Sequence, residues 1–439
     1  MKRLTLLVFL FIGVIQCMNA SHLFVSPSGN DMNDGSKKRP LHSLTQALIK
    51  ARQMSRKDTL FIHLADGVYS FDETIQLRTE DSGTAKSPTV IMAETPGKVT
   101  FSGGRTLDMS DRMETLNWWM GHPVFGQSTQ NVRQLWRGET KIPHASLGLL
   151  DSLMNLSGVS KDKCELLIPV ESFDPVLDLI YGTRLGMADD EKIMNEVKTE
   201  ELRSLELIAC TQNTMAAMRV KNFRIDGKNV CLTFHEPESR LLFSQQEMPK
   251  YYNMKGGYSL VYPGTWYQDP NNGSIVYDPE EEERESGNKQ GAPFIYPVLE
   301  SLFEIRGEAE RPVHHIIFRG ISFQYTSWNH VATSGVVTAP GGAYRRNSGY
   351  EDRQESAISI QFGQNIDFAD CQFSHLGATA IDYEPGCSNC SVTGCQFFDI
   401  GGSAIATPVN PAHQGFRVQR NTFDNIANEI WFSEVIRSR

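Results

Sequence analysis

Asp382 and Glu384 fall in the segment Ala380-Ile-Asp-Tyr-Glu384, where carboxylates alternate with the apolar Ile381 and Tyr383. On an extended chain, alternation turns both acids to one face, about 6–7 Å apart by strand rise. Two carboxyl groups at that range can divide a proton transfer, one donating while the other accepts or attacks. At an acetal carbon, a separation of about 5–5.5 Å suits retention of configuration and about 6.5–9.5 Å suits inversion. A plainer reading stands beside this one: outward acids also keep an exposed sheet soluble. A second column is His375, Asp399 and Asn425, each two residues beyond a recurring Phe. One repeat apart, His375 and Asp399 can share a charge-assisted hydrogen bond that perturbs the imidazole. Satisfying a turn is the simpler role.

The elements that must position these residues announce themselves as repeats. Phe318-Arg-Gly-Ile-Ser-Phe323, Phe368-Ala-Asp-Cys-Gln-Phe373, Val392-Thr-Gly-Cys-Gln-Phe397 and Val418-Gln-Arg-Asn-Thr-Phe423 are nearly superimposable. The closing Phe recurs after 24 residues (373 to 397) and 26 (397 to 423). A period this short, with strand-like alternation, predicts one turn of a parallel β-helix per repeat. Its first strand is Ala357–Ile360, Ala380–Tyr383 and Ala404–Thr407, its second Asn365–Phe368 and Asn389–Val392, and its third carries the Phe. Cys371 and Cys395 then stack, with Asn421 in the same slot and able to bond its neighbours' backbone. The gap of 50 residues from Phe323 to Phe373 fits a coil interrupted by the Gly-rich loop Ala339–Ala343.

Over 439 residues the formal net charge is −10, and no basic stripe exists to neutralise phosphates, which argues against nucleic acid. Met1-Lys-Arg3, the apolar run Leu4–Ile15 and the small Ala20 have the order of a secretory signal, too short to span a bilayer. The expectation is export with cleavage after Ala20, and lipid attachment at Cys17 is the alternative. Cys164, Cys210 and Cys231 read as buried thiols. Cys387-Ser-Asn-Cys390 has the spacing of half a zinc knuckle, but lacking a second pair it reads as stacked thiols, so no metal is expected. No phosphate loop, nucleophile elbow or His-Glu-x-x-His pair occurs, and no cofactor is expected.

Leu41, Leu44, Ala47, Leu48 and Ala51 recur at helical spacing and predict an amphipathic helix that caps the open N-terminal end of the stack. Asp31, Asn33 and Asp34 before it suit local turn bonds better than a calcium loop. Strands resume at Thr59–Leu64, Thr74–Leu77, Thr89–Met92 and Lys98–Phe101. From Arg105 to Glu310 the coil rhythm is absent. Trp118-Trp119, a polar helix around Ala188–Val197, hairpins at Phe223–Phe234 and Thr265–Tyr277, and a solvated acidic loop at Glu280–Glu283 suit a small inserted β-sandwich or barrel. The fold class expected is all-β, a right-handed parallel β-helix. Its parts are a signal at 1–20, cap and first coils at 21–104, insertion at 105–310, coils at 311–427, and an atypical terminus at 428–439.

Asp66-Gly-Val-Tyr69, Thr74-Ile-Gln-Leu77, Asp81-Ser-Gly-Thr84 and Phe101-Ser-Gly-Gly104 resemble the opening coils of the β-helix proteins of glycoside hydrolase family 141. Gly264-Thr-Trp-Tyr-Gln-Asp269, Gly273–Tyr277, Pro297-Val-Leu-Glu300 and Phe318–Trp328 resemble that family's insertion and its return to the helix. The matches run from Phe24 to Ala427. The resemblance implies a secreted enzyme acting on plant polysaccharide, with fucosidase and xylanase activities reported in the group. It also implies further coils beyond a segment like Asp424–Glu429, and with them the family's catalytic carboxylates, which are not mapped onto this sequence. The expectation is a fragment or the product of a frameshift.

By the same resemblance, pectin-lyase-like enzymes use the face carrying Asp382 and Glu384 as a sugar groove. Trp328 and His330 stand where the insertion must rejoin the helix, and Trp328 either stacks on a sugar or packs between domains. Arg133 and Trp136 either line that cleft or seal it. The leading expectation is a glycosidase with paired carboxylates. A polysaccharide lyase needs a basic cluster that the face around Asp382 lacks in sequence, and a non-catalytic glycan-binding surface protein is the alternative from another class.

Overall fold

In a computed structural model of the chain, the residues described are 21–426 apart from 55–57, 108–123, 129–130, 148–152, 182–190, 212–213, 271, 286–291, 340–342, 348–349 and 408–414. The leader with Cys17, the pair Trp118-Trp119 and the terminus from 427 lie outside them.

Three parallel sheets form the body. Sheet 1 contains Ser21–Val25, Leu60–Leu64, Thr89–Ala93, Val313–Arg319, Gly363–Ala369, Ser391–Thr393 and Arg417–Gln419. Sheet 2 contains Gly67–Ser70, Val99–Ser102, Ile321–Thr326, Gln372–Leu376, Gln396–Ile400 and Thr422–Ile426. Sheet 3 contains Ile75–Leu77, Phe303–Arg306, Ser356–Gln361, Thr379–Tyr383 and Ile405–Ala406. From Thr89 onward the chain visits sheets 1, 2 and 3 in unchanging order, so each circuit lays one strand beside its predecessor in every sheet.

Register sets the core. Phe323, Phe373, Phe397 and Phe423 are Cα partners in turn. Their rings stack at 4.9, 4.7 and 5.2 Å, within 14° of parallel. That spacing is the inter-strand distance of a sheet, so identical residues one circuit apart must lie face to face. Phe318 and Phe368 form a parallel ladder at 5.0 Å. Cys395 N donates to Asn421 Oδ1 at 2.8 Å, and Asn421 Nδ2 donates to Val392 O at 2.9 Å. The polar slot below the stacked thiols is thereby satisfied.

The corners have their own chemistry. Tyr325, His375, Asp399 and Asn425, all two residues beyond the ladder, have φ between 49° and 59°. So do His315, Asn365 and Asn389 at another corner, with φ of 55°, 52° and 53°. Left-handed backbone is tolerated best by Asn, Asp and His outside Gly, which explains why polar residues recur there.

The predicted cap is the helix Leu44–Gln53, whose Leu44, Ala47, Leu48 and Ala51 are buried. Ser43 Oγ accepts from Gln46 N, and Asp31 accepts from His42 N, Ser43 N and Ser43 Oγ. Arg52 then clamps the buried Asp81 through Nε and Nη2, both at 2.8 Å. Helix and first circuit are therefore joined by charge as well as by packing.

Both excursions leave the stack between sheet 2 and sheet 3. The longer departs after Gly103 and returns at Val298 and Leu299, whose N–H groups both donate to Gly103 O. Phe303–Arg306 already pairs in sheet 3, which corrects the sequence expectation that insertion runs to Glu310. One short strand between two excursions shows no rhythm in sequence. The excursion is also more than a small sandwich: among the described residues, seven of its strands and Val336–Val337 of the shorter excursion make one sheet, antiparallel at every pairing, with the long strand Met215–Asp226 near its centre. Helices Asp174–Ile180, Glu191–Ser204 and Glu238–Phe243 supply Val176, Leu202 and Leu242 to its core. Both expected hairpins form, about Gly227 and between Gln268 and Ser274. Glu281–Glu285 is helical instead of a solvated loop, because Glu283 accepts from Tyr277 Oη at 2.6 Å and pairs with Arg137. Cys164 is only partly buried, unlike Cys210 and Cys231.

Candidate active site

Strand Thr379–Tyr383 buries Ile381 and Tyr383 in the core and sends Asp382 to the outer face of sheet 3. Asp382 is nevertheless only 5% exposed. The hairpin Ala343–Asn347/Tyr350–Arg353, part of the shorter excursion, brings Arg353 Nη2 onto Asp382 Oδ1. The solvated-acid reading of Asp382 is thereby corrected. Burial pushes its carboxyl up to about 7; Arg353 pulls it down and the charge of Glu384 pushes it further up. Glu384, half-buried, accepts from Ser359 Oγ at 2.5 Å, and Ser359 is the register partner of Asp382 one circuit earlier. Glu304 precedes Ser359 in the same column and is held by Gln76 and Arg306. Arg353 and Arg306 correct the expectation that this face lacks cations, though both are paired with carboxylates.

His375 and Asp399 meet as expected, Nδ1 to Oδ2 at 2.9 Å. What the sequence did not offer is Glu139, whose Oε2 lies 2.8 Å from His375 Nε2. Glu139 belongs to the turn between strands Leu135–Arg137 and Thr140–Ile142 of the long excursion. The imidazole therefore links two carboxylates, one buried on the stack and one 71% exposed on the insertion. Beside it, Tyr325 Oη donates to Gly138 O at 3.1 Å. No signal in the sequence marks Glu139, because an exposed acid in a turn is commonplace.

The expected sugar-binding residues fare differently. Trp136 is buried, its ring 4.2 Å from that of His375 and 5.9 Å from Tyr325, so it seals the junction and offers no face to a ligand. Arg133 grips Glu206 through two bonds of 2.5 and 2.9 Å inside the insertion. Trp328 is also buried, packed with Ile208, Met215 and Ala217 of the insertion and Ala378 of the stack. It takes the packing role of the two expected, since its size fills the joint between the two cores. His330, half-buried against Trp328 and Tyr344, stays below its ordinary pKa chiefly because of burial. Glu300 and Glu355, at the return points of the two excursions, were also missed. Among the described residues no group of three or more His, Cys, Asp or Glu could hold a metal ion.

The inserted segment carries a likeness: the family model described as the GH141 insertion domain matches residues 116–280. The chain is GH141-like. A second model, described as a protein of unknown function (DUF1565), matches residues 27–79, the capping segment and first strands. A solved structure titled "Glycoside hydrolase" superposes with a TM-score of 0.77 at 26% identity, covering 93% of the GH141-like chain and 74% of its own. Another, "The complex structure of XylC with xylose", gives a TM-score of 0.43 at 13% identity, covering 94% and 55%. No curated protein matches.

Proposed function

We propose that this protein is a secreted glycoside hydrolase that cleaves plant cell-wall polysaccharide with paired carboxyl groups. Asp382 carries the reading. Desolvation raises it to about 7 while a second carboxyl, Glu384, stands two residues on. A proton-bearing carboxyl beside a second acid is the division of labour glycoside hydrolysis needs. Asp382 would protonate the departing glycosidic oxygen, and Glu384 would activate water or attack the anomeric carbon. The GH141 insertion domain and the likeness to a solved glycoside hydrolase support the reaction class. We read the three parallel sheets as a right-handed parallel β-helix, and residues 1–20 as the export signal. His375 and Asp399 would act from behind the site, holding the insertion against the stack.

The test is reducing-sugar release from xylan and pectic fractions by the wild-type chain, Asp382→Asn and Glu384→Gln. Loss of about 10²-fold or more in each variant is expected for removal of a general acid or base. Unchanged rates in both would move the chemistry elsewhere. Glycan binding by a wild-type chain that releases no sugar would favour a binding protein, and release of an unsaturated uronate would favour a lyase using Arg353.

A further inference from the structure

At the N-terminal end of sheet 1, two imidazoles meet on the outer face of the stack. His22 lies on Ser21–Val25, the outermost strand of that sheet, and His63 on its neighbour Leu60–Leu64. His22 Nδ1 stands 2.8 Å from His63 Nε2. Without a metal, one ring donates to the other. Phe61 stacks on His22 at 5.4 Å and Phe24 on His63 at 4.7 Å, so both rings are held in place. Burial, and after it the charge of His22, holds His63 below its ordinary pKa, which keeps it a neutral ligand at neutral pH. His22 itself is exposed, so an ion reaches the pair from solvent.

Two imidazoles are too few for a metal, and the main chain beside them supplies the rest. Ser21 N donates to Thr59 O and Phe24 N to Gly35 O, so successive amides alternate between the neighbouring strand and the open edge. His22 N falls on the side of Phe24 N, where it donates to no described residue. With the leader removed, Ser21 N becomes an amine. That amine, the His22 amide and His22 Nδ1 then close two fused chelate rings on one ion. Displacing an amide proton and holding a square plane of nitrogens is copper(II) or nickel(II) chemistry. The spacing of the imidazoles fits it. Two nitrogens at about 2.0 Å from one metal stand about 2.8 Å apart at a right angle and about 3.3 Å at the tetrahedral angle. His63 takes the fourth corner, opposite the His22 amide. Ser21 turns from Thr59 O to reach the ion, a motion that a chain terminus allows.

We propose that removal of residues 1–20 creates a copper(II) site from the Ser21 amine, the His22 amide and imidazole, and the imidazole of His63. The inference rests on the export reading of that leader and uses neither Asp382 nor Glu384. Four nitrogens without a carboxylate disfavour calcium and magnesium, which take oxygen. The square-planar spacing disfavours zinc, which takes a tetrahedron. Because the amine and the amide must lose protons to bind, loading releases protons to solvent.

The test takes the chain as a secreting host delivers it, reads its N-terminus by intact mass, and titrates it with copper(II) chloride under calorimetry and electron paramagnetic resonance. The expected product begins at Ser21 and binds a single copper(II) with a square-planar, four-nitrogen spectrum that excess zinc chloride leaves in place. His22→Ala and acetylation of the Ser21 amine should each abolish that spectrum. His63→Gln should shift it to three nitrogens. Acetylation acts on the folded wild-type chain, so the test holds even where a variant fails to fold. A product that begins at Ser21 and binds no copper(II), loses it to zinc, or keeps the four-nitrogen spectrum in any of the altered forms would overturn the site and leave the export reading standing. A product that begins at another residue also overturns the site, and one that retains the whole leader sinks the export reading with it.

Discussion

His375 and Asp399, separated by 24 residues in sequence, share a 2.9 Å hydrogen bond because successive circuits set them one strand spacing apart. The same imidazole reaches Glu139, so one side chain ties the inserted segment to the stack. His375→Ala should lower unfolding stability by about 1–3 kcal/mol, the penalty for stripping a partner from a buried polar group. Glu139→Gln should cost less than about 1 kcal/mol, as exposed pairs do. Urea unfolding curves of the two variants compare them directly, and equal losses would contradict this account of the junction.

Asp382 bears on the pH profile. As its carboxyl titrates near 7, sugar release per enzyme should fall as pH rises through that value. Arg353 favours the ionised form, so Arg353→Leu should raise the Asp382 pKa and move the descending limb to higher pH. An initial-rate profile that leaves the limb unmoved would detach it from Asp382.

The same group ties stability to pH. Its folded value lies above the ordinary carboxyl value of 3.8, so between those values the native state holds more proton than the unfolded one. Stability from this group is full below about 4 and is lost as pH rises through about 7. Asp382→Asn should therefore flatten the fall in melting temperature across that window. A parallel curve for variant and wild type would contradict the assignment.

The Phe ladder predicts graded losses. Phe397 is fully enclosed between Phe373 and Phe423, so Phe397→Ala should cost about 3–5 kcal/mol. Phe423, half-buried at the last described circuit, should cost less on truncation. Guanidinium denaturation read by fluorescence and circular dichroism would rank the two, and the reverse order would argue against the stack as the stabilising core.

Much of the fold was legible in the residues. The spacing of Phe373, Phe397 and Phe423 announced a stack, Asn421 announced its polar slot, and Leu44, Ala47, Leu48 and Ala51 announced the cap. Each follows from a local rule that repeats: alternation, turn preference or helical period. The site was legible by half. Asp382, Glu384, His375 and Asp399 sit on repeating strands, so their columns could be written out. Arg353, Glu139, Glu300 and Glu355 sit on or beside the excursions, which have no period to extrapolate.

The sequence by itself determined the ladder, the corners and the outward direction of Asp382, because a strand's two-residue alternation and a circuit's fixed length leave one arrangement that buries the rings. Only the tertiary structure decided that Arg353 covers Asp382 and that Trp328 and Trp136 are buried in joints. Those contacts depend on where two long excursions fold back, and the apolar burial that positions them comes from residues far apart in the chain.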